Sequence, residues 1–119
     1  MSELAAVAIS EQDGIVVASV SGEVDISNAG DTLSQVAGAV PNDAHGLVVD
    51  FTELEFMDSS GVHMLYELAE RLANRQQRFA VILPSDRPPR RAIELSGVEP
   101  ASWLHEDEAS AMAAVRGGA

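Results

Sequence analysis

The sequence predicts a mixed α/β domain in which an N-terminal hairpin is followed by strands and helices in alternation. Three observations carry that prediction. Apolar runs of strand length, such as Ile15 to Val20 and Leu47-Val48-Val49, alternate with segments whose apolar residues recur at helical spacing. Hydroxyl, amide and acidic residues or prolines stand where those helical segments begin. The 119 residues suit one domain, which buries roughly two-thirds of the surface of its unfolded chain and needs no disulfide, and the chain has no cysteine.

The elements follow in order. Ala6 to Ser10, the turn Glu11-Gln12-Asp13-Gly14, and Ile15 to Ser21 read as a hairpin whose second strand is largely apolar on both faces. Gly22 interrupts that strand, and Glu23-Val24-Asp25-Ile26 is expected to lead out of the sheet. Ser27 or Asn28 can cap a helix carried by Ala29, Leu33, Val36, Ala37 and Val40 and ended by Pro41-Asn42-Asp43. Gly46 to Thr52 suits a strand covered on both faces. A short loop leads to Ser59-Ser60-Gly61, which opens a helix with Val62, Leu65, Leu68, Ala69 and Leu72 as its stripe. Phe79 to Leu83 is a further buried strand. Asp86 and Pro88-Pro89 start a helix carried by Ala92, Ile93 and Leu95 and closed by Gly97. Ser102 to His105 suits a short edge strand, and Glu106, Asp107 and Glu108 open a last helix ending near Arg116 and Gly117. The expected order is ββαβαβαβα, a mixed β-sheet with crossover helices in one domain over residues 1–119, with 117–119 frayed.

Composition narrows the chemistry. Without cysteine there is no thiolate nucleophile or Cys-based metal site, and without lysine there is no P-loop, Schiff-base or Ser-Lys chemistry and no receiver-type phospho-aspartate switch. The net charge of −12 opposes binding to nucleic acid and to anionic membranes, so neither is expected as a partner. No apolar run approaches the roughly 20 residues of a membrane span, and the first residues lack a basic segment followed by an apolar one, so a soluble cytoplasmic protein is expected. The charge is also segregated: residues 1–70 hold thirteen acids and no Lys or Arg, whereas 71–91 hold six arginines and one acid. That pattern fits oriented docking to a complementary partner, and equally fits arginines that only solvate helix ends and turns.

In open α/β sheets function collects where strands end and helices begin. Two such places stand out: Gly22 to Asn28, and Phe56-Met57-Asp58-Ser59-Ser60-Gly61. The second sets an acid, two hydroxyls and a glycine at a helix N-terminus, where unpaired N–H groups favour negative charge and would stabilise a phosphate on Ser59. The plain alternative is that Ser59 or Ser60 is a helix cap and Gly61 relieves crowding. An enzyme built on Asp58, Ser59 and His63 is disfavoured, because there is neither a Gly-x-Ser-x-Gly elbow nor an identifiable oxyanion loop. His45, His63 and His105 lack metal-ligand spacing, so no metal or other cofactor is expected.

The run Val48 to Met57 followed by Asp58-Ser59-Ser60-Gly61 resembles the signature of STAS-domain anti-sigma factor antagonists of the sporulation anti-anti-sigma type. Gly22-Glu23-Val24-Asp25 is similar to the end of that family's second strand, and Arg91 to Val98 is similar to its third helix. The segments stand in the family's order, and the resemblance covers nearly the whole chain. It implies a STAS-like fold and a bacterial, cytoplasmic phosphoprotein that regulates transcription by partner switching, without catalysis of its own. The unphosphorylated form would bind an anti-sigma factor that is also a serine kinase of the GHKL ATPase type, releasing a sigma factor. Phosphorylation of the serine directly after the aspartate, here Ser59, would block that binding, and a metal-dependent serine phosphatase would reset it. Asp58, Ser60 and Gly61 match the rest of the signature, while Glu23 and Asp25 match an adjacent docking loop. His63 departs from the family, which commonly has a small residue or glycine there; the larger side chain could alter partner choice or simply point to solvent. Two other roles fit such a domain: a stressosome-type scaffold that sequesters a kinase, and a soluble partner of a lipid transporter. The intact pair Ser59 and Ser60 counts against the latter.

Overall fold

The structure, a computed structural model, describes residues 5–95 and 102–117. The elements are β1 (Ala5–Gln12), β2 (Ile15–Val24), α1 (Ala29–Gly38), β3 (Gly46–Asp50), β4 (Leu54–Met57), α2 (Ser59–Asn74), β5 (Arg78–Ile82), α3 (Arg90–Leu95), β6 (Leu104–His105) and α4 (Glu108–Val115). The expected hairpin forms through Asp13 and Gly14, both at positive φ (53° and 79°), the geometry of a two-residue loop that follows the strand twist.

The spine of the sheet is β2. It pairs antiparallel with β1 along Ile15 to Gly22, and parallel with β3 along Ile15 to Ser19. Beyond that point β4 takes over, pairing parallel with Gly22 to Val24. The remaining strands give the order β1-β2-β3-β5-β6. The hairpin, the mixed sheet and the crossover helices are as the sequence predicts.

Two local expectations change. The short loop after β3 holds a strand, β4, and Glu23-Val24 stays in the sheet as the end of β2. The cause lies in a small turn. Asp50 Oδ1 accepts from the Thr52 N–H at 2.9 Å and from its hydroxyl at 2.6 Å, and the Leu54 N–H donates to the Phe51 carbonyl at 3.0 Å. This jog ends β3 and returns the chain beside β2. The matching irregularity on β2 is the register shift between Gly22 and Glu23, where Gly22 takes φ 89°, a conformation that favours glycine. Of the four residues in β4 only the first and last are buried, so no alternation marks it as a strand.

The doubly apolar strands are covered on both faces. On one, Val16, Ala18, Val20, Leu47, Val49 and Val81 pack with Leu33 and Val36 of α1, Leu65, Leu68 and Leu72 of α2, and Ile93 of α3. On the other, Ile15, Val17, Val48, Ala80 and Ile82 pack with Ala111, Met112 and Val115 of α4. Trp103, just before β6, meets Tyr66 and Phe79 edge-on, each with ring centroids 5.3 Å apart.

The short helix α3 is held by arginines at its start. Arg87 donates to the Leu54 carbonyl at 3.0 Å, and Arg90 donates to the Leu83 carbonyl at 2.5 Å and to Glu106 at 2.9 Å. Leu95 is not part of the core stripe: it is 76% exposed, whereas Ile93 is buried. Two positions along a helix are about 200° apart, so one of the two must face outward. Gly97, expected to close this helix, lies outside the described residues.

Leu65 is fully buried between the helical layer and the sheet, so Leu65→Ala is expected to cost ~2–5 kcal/mol in urea denaturation. The Glu106 carboxyl is held below the usual glutamate range by the Ser85 backbone N–H and by Arg90. A lowered folded-state value stabilises above the ordinary carboxylate range and is lost as pH falls through the lowered value. Glu106→Gln is therefore expected to lower the urea midpoint slightly near neutral pH, with the difference from the parent vanishing in acid.

Candidate functional site

The carboxyl ends of β2 and β4 lie side by side, with Glu23 opposite Phe56 and Val24 opposite Met57. The Asp58 N–H donates to the Val24 carbonyl at 3.2 Å, extending that pairing to the first residue of the loop. Two segments far apart in sequence, 23–28 and 56–61, thereby become neighbours.

Asp58 caps α2. Its backbone is extended (φ −100°, ψ −169°), and its Oδ1 accepts from the Ser60 N–H at 2.8 Å. Neither serine is the cap, which settles what spacing left open. Ser59 is the first residue of the helix; it is exposed, and its hydroxyl makes no hydrogen bond among the described residues. Ser60 is half-buried and turns toward α1, lining a hollow with Ala29, Leu33 and His63. Gly61 is buried, and a β-carbon there would stand 2.2 Å from Met57 Cγ and 2.7 Å from its Sδ. The glycine lets the first turn of α2 lie against the end of β4.

The neighbouring loop braces itself. Asp25 Oδ1 accepts from the Ser27 N–H at 2.9 Å and from its hydroxyl at 2.6 Å. Asn28 Oδ1 accepts from the Asp25 N–H, and Asn28 Nδ2 donates to the Glu23 carbonyl, each at 2.9 Å. Asn28 thus ties the loop back to β2, and its side chain makes no cap bond to α1. This bracing leaves Ile26 standing 84% exposed beside the site.

Ser59 lines a groove of about 370 Å³ together with Phe56, Met57 and Asp58 on one side and Pro88, Arg91, Ala92 and Leu95 of the α3 region on the other. Phe56 is 47% exposed. His63, one turn after Ser59, does not line this groove; it faces the hollows beside α1 and along α2. The structure therefore brings Glu23, Asp25, Asp58 and Ser59 to one end of the sheet and sets Ser60 and His63 around the side of α2. Sequence reading singled out segments 22–28 and 56–61 but did not name Ile26 or Phe56 among the candidate residues, and it did not connect Arg91 or Leu95 with the groove. For Leu95 the spacing of two from Ile93 was an available signal; for Phe56 nothing local distinguished it from core.

Among the described residues no cluster of His, Asp and Glu suits a metal ion, and no helix is long and apolar enough to cross a membrane. The site presents a free hydroxyl, exposed apolar side chains and flanking carboxylates.

A family model described as the STAS domain matches residues 6–111. This chain belongs to the STAS domain family. Its STAS relatives include the anti-sigma-F factor antagonist RsfB of Mycobacterium tuberculosis, 28% identical over 94% of this chain and 90% of that protein. An anti-sigma factor antagonist from Mycobacterium paratuberculosis has a similar structure, with a TM-score of 0.81 at 29% identity over 94% of each chain. The anti-sigma factor antagonist SpoIIAA in its unphosphorylated form gives 0.73 at 26% identity, over 94% of this chain and 97% of that one. The phosphorylated form of Bacillus SpoIIAA gives 0.63 at 26% identity, over 93% of this chain and all of that one. STAS proteins of the anti-sigma antagonist kind are regulatory binding proteins, not enzymes.

Substitutions at the STAS site should separate folding from surface chemistry. Asp58→Ala removes the cap and is expected to cost ~0.5–2 kcal/mol, and Gly61→Ala forces a shift against buried Met57 at ~1–3 kcal/mol. Ser59→Ala, which removes no bond, is expected to leave the urea midpoint within error of the parent.

Proposed function

We propose that this STAS chain is an anti-sigma factor antagonist switched by phosphorylation of Ser59. In the cytoplasm its unphosphorylated form binds an anti-sigma factor that is also a serine kinase of the GHKL ATPase type, and so frees a sigma factor. The kinase passes the γ-phosphoryl group of ATP to Ser59 Oγ, releasing ADP, and a metal-dependent serine phosphatase hydrolyses the phosphoserine. The observation that carries this reading is the position of Ser59: exposed, first in its helix, free of any capping duty, and standing on a largely apolar groove. The kinship with RsfB, and with SpoIIAA structures of an unphosphorylated and a phosphorylated form, supports it.

The physics of the switch is local. A phosphate adds about −1.5 to −2 charges, which is small beside a net charge of −12. At the groove it matters more. Docking covers Phe56, Leu95 and Ile26 and brings the partner against a neutral hydroxyl. Once that hydroxyl carries a dianion, docking has to desolvate it beside the Asp58 carboxylate. A loss of ~3–4 kcal/mol corresponds to roughly 100- to 1,000-fold in affinity. Glu23, Asp25, Asp58, Ser60 and Gly61 shape or border the docking surface, and His63 extends it toward α1.

Affinity capture from native lysate with ADP present is expected to retain a small ATPase-fold kinase that, with Mg-ATP, phosphorylates the chain on Ser59 alone by mass mapping. Ser59→Ala should bind that kinase as the parent does and Ser59→Asp at least tenfold more weakly, without recovery in raised salt, because a buried clash is poorly screened. Phosphate on Ser60, or equal binding by the parent and both variants, would overturn the assignment. In the same assay Phe56→Ala is expected to weaken binding tenfold or more while leaving the melting temperature nearly unchanged, since the ring is already half exposed.

A further inference from the structure

We infer that Arg91 is the internal receptor for the phosphate on Ser59: once the serine is modified, the guanidinium closes over the groove and pairs with it. This rests on Ser59 being the modified residue, and it adds what the modified state looks like.

The disposition of the arginines points to it. Arg71 pairs with Glu67, Arg90 with Glu106 and Arg116 with Asp13, at 3.1, 2.9 and 3.6 Å. Arg75 donates to the Val40 carbonyl and to Asn42, and Arg87 to the Leu54 carbonyl. Arg91 is exposed, and its side chain has no hydrogen bond or ion pair among the described residues. Arg78 is alike in this respect, but it opens β5 at the opposite end of the sheet from the site. Arg91 alone combines uncommitted donors with a place in the Ser59 groove, on the α3 side.

The charges around the groove call for such a group. Asp58 lies next to Ser59, and Asp25 and Glu23 follow on the adjacent strand and loop. A phosphate there meets carboxylates on its own side, and residues 1–70 contain no lysine or arginine to offset them. Guanidinium offers a planar fork of N–H donors that matches the phosphate oxygens in pairs, which a point-charge ammonium does not. Arg91 and Phe56, Ala92 and Leu95 share the groove, so a phosphate–guanidinium pair would lie across its apolar lining. The clamp would thus withdraw the apolar surface a partner uses and at the same time relieve the repulsion from Asp58. The unmodified fold has no need of it.

The test places phosphoserine at position 59 during translation, so no kinase is required, and follows the phosphate by phosphorus NMR titration at low ionic strength. Free phosphoserine loses its second proton near pH 6. The phosphate in the parent is expected to titrate about half a unit lower than in Arg91→Gln, a threefold change in the proton dissociation constant. Arg91→Lys should recover only part of that difference, because it keeps the charge and loses the fork. The unmodified Arg91→Gln protein should melt with the parent, since the side chain is exposed. Superimposable titrations in the parent and Arg91→Gln would overturn the clamp and leave the switch itself untouched. Failure of any captured kinase to modify Ser59 would overturn the switch without altering what the titration reads.

Discussion

The short parallel pairing between the end of β2 and β4 is what the rest of the site depends on. Val24 stands opposite Met57, and the Asp58 N–H closes on the Val24 carbonyl at 3.2 Å. Through those contacts a loop that follows the second strand and a helix that follows the fourth are held as one surface. The pairing in turn needs the Gly22 irregularity on one strand, the Asp50–Thr52 turn before the other, and a residue without a side chain at Gly61 so that α2 can start against Met57.

The two sides of this junction serve different ends. Beneath it Val24, Leu54, Met57 and Leu65 are buried and set the stability. Above it Ile26, Phe56 and Leu95 remain exposed around a serine that holds nothing in place. Single exposed apolar residues are ordinary on a protein surface. Here Phe56 and Leu95 line one groove with Ser59, and Ile26 stands in the neighbouring loop. Because the cap is Asp58 and not Ser59, a change of charge at Ser59 would leave the start of the helix intact.

Charge is organised around the same point. The first seventy residues contain thirteen acids and no lysine or arginine, and the arginines begin at Arg71. In the fold Arg87 and Arg90 fasten the α3 region to the sheet and to Glu106, leaving Arg91 facing the groove uncommitted. Segregation visible along the chain becomes, in three dimensions, a set of carboxylates faced across the groove by Arg91, whose side chain makes no hydrogen bond or ion pair among the described residues.

The pattern of the chain by itself determined the class of fold, the existence of the hairpin, the stripes of α1 and α2, and the strands buried on both faces, because these depend on near neighbours and on burial common to a whole element; that the hairpin turn is only Asp13-Gly14, with Glu11 and Gln12 paired in β1, came from the structure. The Asp58-Ser59-Ser60-Gly61 motif was equally legible, since a helix start is a local event. Tertiary structure decided the rest. Leu54 to Met57 became a strand only because β2 offers unpaired backbone groups beyond the reach of β3, and isolated they show no strand period. Asp58 rather than either serine became the cap because the pairing with Val24 sets its extended backbone. Asn28 stands at the N-cap position of α1, as the sequence reads, yet its side chain braces the loop and makes no cap bond. Which apolar residues stay in the core and which stand in solvent around Ser59 follows from where α3 docks, and that depends on contacts between residues more than thirty apart in the chain, such as Arg87 with Leu54.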